Sequence, residues 1–306
     1  MATVGILSIG QMGLGIAKLL VAHDFRVVTN VSDRSPATQK RAQDAQLELV
    51  DSDVELVGKC DYILSIVPPR DAVATAMRII DAEASDQKRW PTYYLDLNAI
   101  SPSTASKIAA AFKQKAQSIL FIDGGIIGGP PTPLPGSSEW KRPGIPLSGP
   151  NSLYDAPIGG SHLAKVLNTQ YLGPKVGSAS GLKCCFAALS KGFTALALQS
   201  FSTAASLDVL PALQGYLKEF NPGGGERAEK GIVGCPSKAY RWVEEMNQIG
   251  ECFEVEGGWA EQAKIFREVA GVYEGLARVV ERKGTEGMAD VDGVVRALGE
   301  GLKKEE

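Results

Sequence analysis

The chain opens with Val4-Gly5-Ile6-Leu7-Ser8-Ile9-Gly10-Gln11-Met12-Gly13-Leu14-Gly15. An apolar run enters a glycine turn, and the turn enters the helix-forming stretch Ile16-Ala17-Lys18-Leu19-Leu20. Strand, glycine turn and helix in immediate succession begin a doubly wound α/β sheet whose turn can seat a pyrophosphate. Gly10 would let the backbone approach the phosphates, and Gly13 would let the helix pack on the strand. The helix N-terminus supplies N–H donors and partial positive charge there, around Gln11 and Met12. Ser8 stands where the fingerprint has its first glycine. An ordinary βα turn is the plainer alternative.

The chain has 306 residues, long enough for two domains and a substantial core. Residues 1 to about 150 alternate strand and helix. The apolar runs predict strands at Val4–Ile9, Arg26–Asn30, Tyr62–Val67, Tyr93–Leu97 and Ile119–Ile122, with helices near 12–22, 36–45, 70–84 and 102–116. This pattern predicts a parallel sheet covered on both faces, its strand ends pointing the same way. Each predicted strand is followed by distinctive residues: the glycine turn, Asp33-Arg34-Ser35, Pro68-Pro69, Asn98 and Gly124-Gly125. Ligands of open α/β sheets lie at that edge.

From 178 onward apolar residues recur at helical spacing. Trp242, Val243, Met246, Ile249 and Phe253 form one stripe, Ile265 to Val280 a second, and Val291 to Leu302 a third. The expected division is a Rossmann-type dinucleotide-binding domain over 1–177 and an all-α domain over 178–306. Asn221-Pro222-Gly223-Gly224-Gly225 reads as an exposed loop. The run from Gly128 through Pro143 also reads as a loop by composition, either a flap near the site or disordered.

A net charge of −3 without a basic stripe argues against nucleic acid. Lys191 and Gln199 interrupt the apolar stretch Cys184–Phe201, which reads as a buried helix and not a membrane span. Five cysteines with no Cys-x-x-Cys, and two isolated histidines, predict a reduced setting and no metal site. A strand starting near residue 3 leaves no room for a leader, so a cytoplasmic location is expected. Lys303-Lys304-Glu305-Glu306 reads as a solvated tail.

Cofactor choice turns on the second strand. An NAD site usually ends that strand in an acid, about twenty residues past the glycines. Here Asn30 ends it and Asp33-Arg34-Ser35-Pro36-Ala37-Thr38 follows. Arg34 could fork onto a 2′-phosphate, with Ser35, Thr38 and the helix N-terminus adding donors. NADP is therefore expected, against the alternative of a capped helix with an exposed arginine. Val67-Pro68-Pro69 would stiffen the turn beneath the nicotinamide half. Asn98 could bond the nicotinamide ribose or merely form a turn.

Lys183 is the candidate catalytic residue. It sits in the first turn of the helix after Gly177, where the helix dipole disfavours a cation. Desolvation there would lower its pKa and suit it to proton transfer. Lys191 lies eight residues on, on roughly the same side. Both could instead run along a dimer helix with their tips in water.

Together these segments resemble the β-hydroxyacid dehydrogenase superfamily, the relatives of 6-phosphogluconate dehydrogenase, nearly end to end. The likeness rests on Ile9-Gly10-Gln11-Met12-Gly13, Asp33-Arg34-Ser35, Ser65 to Pro69, Asp96-Leu97-Asn98-Ala99, Asp123 to Pro131, Leu147 to Pro150, Gly181-Leu182-Lys183 and Trp242 to Met246. It implies a nicotinamide site on the glycine turn, a catalytic lysine at Lys183, and a homodimer burying the helix from about 178. It also implies a substrate lying between the domains against Gly124, Gly125 and the Ile127 loop, with Lys191 nearby and Tyr240 and Glu245 contributed by a partner. Two positions depart from the pattern. Ile127 replaces a carboxylate-gripping serine, and Ala187 replaces an asparagine. Both changes put a simple 3-hydroxy acid substrate in doubt. The functional expectation is an NADPH-dependent oxidoreductase working at a carbonyl or alcohol carbon. An imine reductase of the same superfamily and a non-catalytic NADP-binding protein are the rivals.

Overall fold

A computed structural model describes residues 1–83 and 90–302. Ala84, the last residue of one predicted helix, and the tail Lys303–Glu306 lie outside the described residues. The chain divides into two compact units, Met1–Cys184 and Cys185–Glu306. The division falls seven residues beyond the sequence boundary, inside a continuous helix.

The first unit runs β1 (Thr3–Leu7), α1 (Gln11–Val21), β2 (Arg26–Asn30), α2 (Pro36–Asp44), β3 (Glu48–Val50), α3 (Asp53–Lys59) and β4 (Tyr62–Ser65). It continues with α4 (Ala72–Asp81), β5 (Thr92–Asp96), α5 (Pro102–Lys115) and β6 (Ile119–Gly124). The short strands β7 (Thr132–Pro133) and β8 (Trp140–Lys141) follow, then β9 (Ile145–Ser148), α6 (Gly160–Leu167) and β10 (Thr169–Tyr171). The sheet order is β10-β9-β6-β5-β4-β1-β2-β3. Its inner part reads 3-2-1-4-5-6, the doubly wound dinucleotide-binding order, with all five of those pairings parallel. β9 joins β6 antiparallel and β10 extends it. The chain order reverses between β1 and β4, and a ligand crevice belongs there.

Period-two alternation explains the two-sided cover. Val4, Ile6, Tyr62 and Leu64 face one apolar cluster with Leu19, Leu20 and Leu163. Leu7, Val28 and Ile63 face the other, with Leu56, Ile79 and Phe112. The sequence reading lacked β3, β9, β10, α3 and α6. β3 and β10 have three residues each, too short for a period to register.

The Gly128–Pro143 segment is more ordered than its composition suggests. Ile127 and Gly144 exchange backbone bonds at 2.9 Å, and β7 pairs with β8 beyond them. A Cβ on Gly15 of α1 would lie 3.0 Å from Pro131 and 3.1 Å from Pro130, so the prolines pack on the first turns of α1.

α7 (Ser178–Ser206) carries the chain into the second unit, which holds α8 (Leu210–Phe220), α9 (Pro222–Gly234), α10 (Ala239–Val255), α11 (Ile265–Lys283) and α12 (Val291–Leu302). Met246, Ile249, Val269, Tyr273, Leu276, Val294 and Leu298 from the predicted stripes are buried. The loop expected at Asn221–Gly225 is corrected. Asn221 caps α9, its side chain accepting the Gly224 N–H, and Pro222 takes the first helical position. Cap and proline start the helix through three glycines. α7 is also less buried than expected. It is long and apolar enough to cross a membrane by length and composition. Leu182, Phe186, Leu189 and Leu196 lie exposed at i, i+4, i+7 and i+14, one heptad stripe.

Candidate functional site

The glycine turn joins β1 to α1. Ser8, at the missing first glycine, has φ +86°, a left-handed conformation that glycine adopts more readily. Gly13 is pressed on that turn: a Cβ there would lie 2.0 Å from the Ser8 carbonyl oxygen. Gly10 caps α1 and makes no side-chain cap hydrogen bond to the helix's first N–H groups. The first turn of α1 also holds no acidic residue. The cradle therefore suits an anionic diphosphate, and its donors would be the N–H groups around Gln11, Met12 and Gly13.

At the end of β2, Asn30 turns inward. Its amide donates to Asp53 at 2.8 Å and its oxygen accepts from Ser32. Asp33 lies past the strand and pairs with Arg34 at 3.2 Å, both about half exposed. Ser35 caps α2, accepting the Thr38 N–H, with Pro36 at the first helical position. Gln39 donates to the carbonyls of Val31, Ser32 and Arg34 and holds this turn in place. Arg41 adds a second cation that the sequence reading missed. Its guanidinium reaches from α2 to the Ile9 carbonyl of the glycine turn at 2.9 Å. Arg34 lies before the Ser35 cap and outside α2, so no helical spacing links the two cations in the sequence.

After β4, Pro69–Asp71 forms a single 3₁₀ turn with Pro68 before it. Asn98, a candidate ribose ligand, ties two strand ends together. It is 2% exposed. Its oxygen accepts the Val67 N–H at 2.7 Å, and its amide donates to Ser65 Oγ at 3.0 Å. Asn98 thus sets the Val67-Pro68-Pro69 turn and offers a ligand little surface. Asp96 beside it is wholly buried and pushed up to about 7, first by burial, against the Asn98 N–H and with Asp123 raising it further. Among the described residues Asp96 Oδ2 has no hydrogen-bond partner.

β6 ends in Asp123 and Gly124, and α7 returns to the same place. The fully buried Asp123 carboxylate accepts from Ser148 Oγ (2.8 Å) and from the N–H groups of Gly177 (2.9 Å), Ala179 (3.1 Å) and Ser180 (3.2 Å). Ser180 Oγ donates to its other oxygen. Burial raises its pKa, and these donors oppose the rise. One turn further on, Lys183 donates from Nζ to the Ile126 carbonyl at 2.5 Å. A Cβ on Gly125 would lie 3.0 Å from Lys183 Cβ, so the glycine makes room for the lysine stem. Half-buried Ile127 follows. The expected site residues Gly124, Gly125, Ile127 and Lys183 therefore come together within the first unit.

In the second unit Lys191 and Glu245 meet each other. They form an ion pair with both side chains 12% exposed, and Lys191 lies over the Trp242 ring at 5.4 Å. Their charges are engaged within one chain, so the geometry does not offer them as open substrate ligands. Tyr240 is 61% exposed.

Residues 3–137 match the sequence family described as the NAD binding domain of 6-phosphogluconate dehydrogenase. Residues 204–276 match a domain of unknown function, DUF1932. Over residues 3–137 the first unit is similar to the 6-phosphogluconate dehydrogenase type of NAD-binding domain. An uncharacterized 28.5 kDa protein of Methanothermus fervidus is 27% identical over 69% of this chain and 76% of its own. Human mitochondrial 3-hydroxyisobutyrate dehydrogenase is 23% identical over 55% of this chain, which spans about half of that enzyme, 52%. Among solved structures, 3-hydroxyisobutyrate dehydrogenase from Salmonella typhimurium aligns with TM-score 0.66 at 16% identity, covering 97% of this chain and 99% of that one. The imine reductase from Myxococcus stipitatus in complex with NADP+ aligns with TM-score 0.54 at 16% identity, over 97% and 99%. These likenesses show the shared fold, a Rossmann-like unit followed by a helical one.

Proposed function

We propose that the chain is an NADPH-dependent oxidoreductase acting at a carbonyl or alcohol carbon of a small molecule, with Lys183 as general acid and base. The observation that carries this reading is the Lys183 ammonium, held 2.5 Å from the Ile126 carbonyl beside Gly124 and Gly125 at the carboxyl edge of the sheet. A 2′-phosphate would take its charge-assisted donors from Arg34, with the hydroxyls of Ser35 and Thr38 beside it and Arg41 close behind. The diphosphate would rest on the first turn of α1. Val67, Pro68 and Pro69 would border the crevice between β1 and β4. A bound nicotinamide supplies or takes up hydride at the substrate carbon. Lys183 gives a proton to the carbonyl oxygen in reduction and takes it from the alcohol in oxidation. Ile127 makes the adjoining surface apolar, which favours a ketone or aldehyde over a carboxylate-bearing substrate. Among the described residues the five cysteines form no disulfide, which accords with a reduced, cytoplasmic setting. The exposed Leu182-Phe186-Leu189-Leu196 stripe supports a homodimer through α7. The proposal includes no nucleic acid, membrane or metal.

NADPH oxidation against a panel of aldehydes and ketones, with and without an amine, tests the reading. Lys183→Met should lower turnover on the best carbonyl by roughly 10²–10⁴ and leave NADPH affinity unchanged. Turnover that needs the amine and survives Lys183→Met would instead identify an imine reductase, which the Ile127 and Ala187 positions favour. Tight NADPH binding with no turnover on any member would leave a cofactor-binding protein.

A further inference from the structure

We propose that Asp123 is a positioning residue for Lys183, tying the first turn of α7 to the end of β6 so that the ammonium is fixed beside Gly124 and Gly125. The functional half of this proposal rests on the reading of Lys183 as the proton donor. Three segments far apart in sequence meet on the one carboxylate. Its donors at the start of α7 and from Gly177 just before it lie 54 to 57 residues away, and Ser148 comes from β9. Ser148 Oγ also accepts the Ala179 N–H at 3.0 Å, closing a small network in which Asp123, Ser148 and Ser180 are all wholly buried. The carboxylate thus serves the N–H groups that α7 leaves unpaired at its start.

Lys183 lies three residues beyond Ser180 and Ile126 three beyond Asp123. The Lys183–Ile126 bond therefore closes a second stitch between the same two segments. Gly125 lies between the stitches with Lys183 Cβ against it, so a small shift of the α7 start displaces the lysine stem directly. A helix cap alone would require an acceptor for one or two N–H groups. Here one wholly buried carboxyl group accepts five donors one turn from the lysine, and hydrogen bonds to a carboxylate are the strong ones.

The test is a mutant cycle with two readouts on the full chain. The first is competitive acetylation of Lys183 by acetic anhydride at pH 8, read by mass spectrometry against the exposed Lys113 and Lys230. The second is turnover on the best carbonyl of the panel. In Asp123→Asn the Lys183 labelling should rise roughly tenfold and turnover should fall roughly tenfold or more, with NADPH affinity unchanged. In the Lys183→Met background the same substitution should alter turnover by less than about twofold, because both act on one group. Unchanged Lys183 labelling, or an equal loss of turnover in both backgrounds, overturns the proposal. If Asp123→Asn does not fold, Ser180→Ala removes one donor and goes through the same cycle with the same two criteria. Raised labelling beside a Lys183→Met enzyme that keeps its turnover upholds the positioning and removes the catalytic reading.

Discussion

Gly13→Ala sets two effects of opposite sign against each other. Gly13 lies inside α1, where alanine is intrinsically better than glycine by about 0.8–1 kcal/mol. Its Cβ would, however, sit 2.0 Å from the Ser8 carbonyl oxygen and 3.2 Å from the carbonyl carbon. Contacts shorter than 3.0 Å are essentially never seen, so the helix must retreat by about 1 Å. The obstacle is backbone already held at φ +86°, and no side chain can swing aside. Overpacking of this kind costs about 1–3 kcal/mol or more and outweighs the propensity gain. With the propensity gain subtracted the net loss is about 1–2 kcal/mol, so at about 2–4 °C per kcal/mol for a unit of this size the melting temperature should fall by roughly 2–8 °C. The same retreat moves the first-turn N–H groups off the diphosphate. Hydrogen bonds to charged groups contribute about 1.5–3 kcal/mol each, so NADPH should bind at least tenfold more weakly. Thermal melting and fluorescence titration with NADPH measure both effects. Gly58→Ala in α3 is the control, because nothing lies within 4 Å of its added Cβ; it should be neutral or stabilising. A Gly13→Ala protein as stable as Gly58→Ala would refute the argument.

Arg34→Ala should weaken NADPH at least tenfold, the loss of one charged bond of about 1.5–3 kcal/mol, and leave NADH nearly unchanged; equal wild-type affinities for the two cofactors would contradict the assignment. Asp96 is raised from 3.8 to about 7 in the fold, so folding favours its neutral form. That stability is full below about pH 4 and is lost as pH rises through 7. Asp96→Asn, which keeps an acceptor for the Asn98 N–H, should flatten this stretch of the stability–pH curve and melt higher than wild type at pH 8. An unaltered slope between pH 4 and 7 in urea denaturation would rule this out. Leu189→Asp with Leu196→Asp should turn a dimer into a monomer in sedimentation, whereas a wild type that is monomeric at micromolar concentration would defeat the dimer outright.

Local residues announced most of the cofactor half. The apolar run and glycines of β1 and α1 carry their own spacing. The Ser35-Pro36 start of α2 is a cap followed by a proline, which a sequence displays directly. Asn221-Pro222 is the same device, masked in the sequence by the three glycines that follow it. There the cap outweighed composition. β3 and β10 were illegible because three residues cannot show a period. Asn98 was ambiguous by nature, since an asparagine after a strand can bond a ligand or its own backbone. Only the Val67 and Ser65 partners, 31 and 33 residues away, decide between these.

Lys183 stands out in the sequence because a cation in a helix's first turn would run against the dipole; the structure places it one turn further on, since α7 begins at Ser178. The partners that hold it there are not visible in the sequence. Asp123 places an acid under that same helix start, and its donors lie 54 to 57 residues along the chain. In the sequence Asp123 is merely the residue before two glycines. The acid takes the N–H groups at the start of α7, and the Ile126 carbonyl takes the ammonium one turn later. The lysine and the buried carboxylate at Asp123 are therefore two parts of one arrangement. A chain that kept the lysine and lost the acid would place a positive charge where the fold no longer favours it.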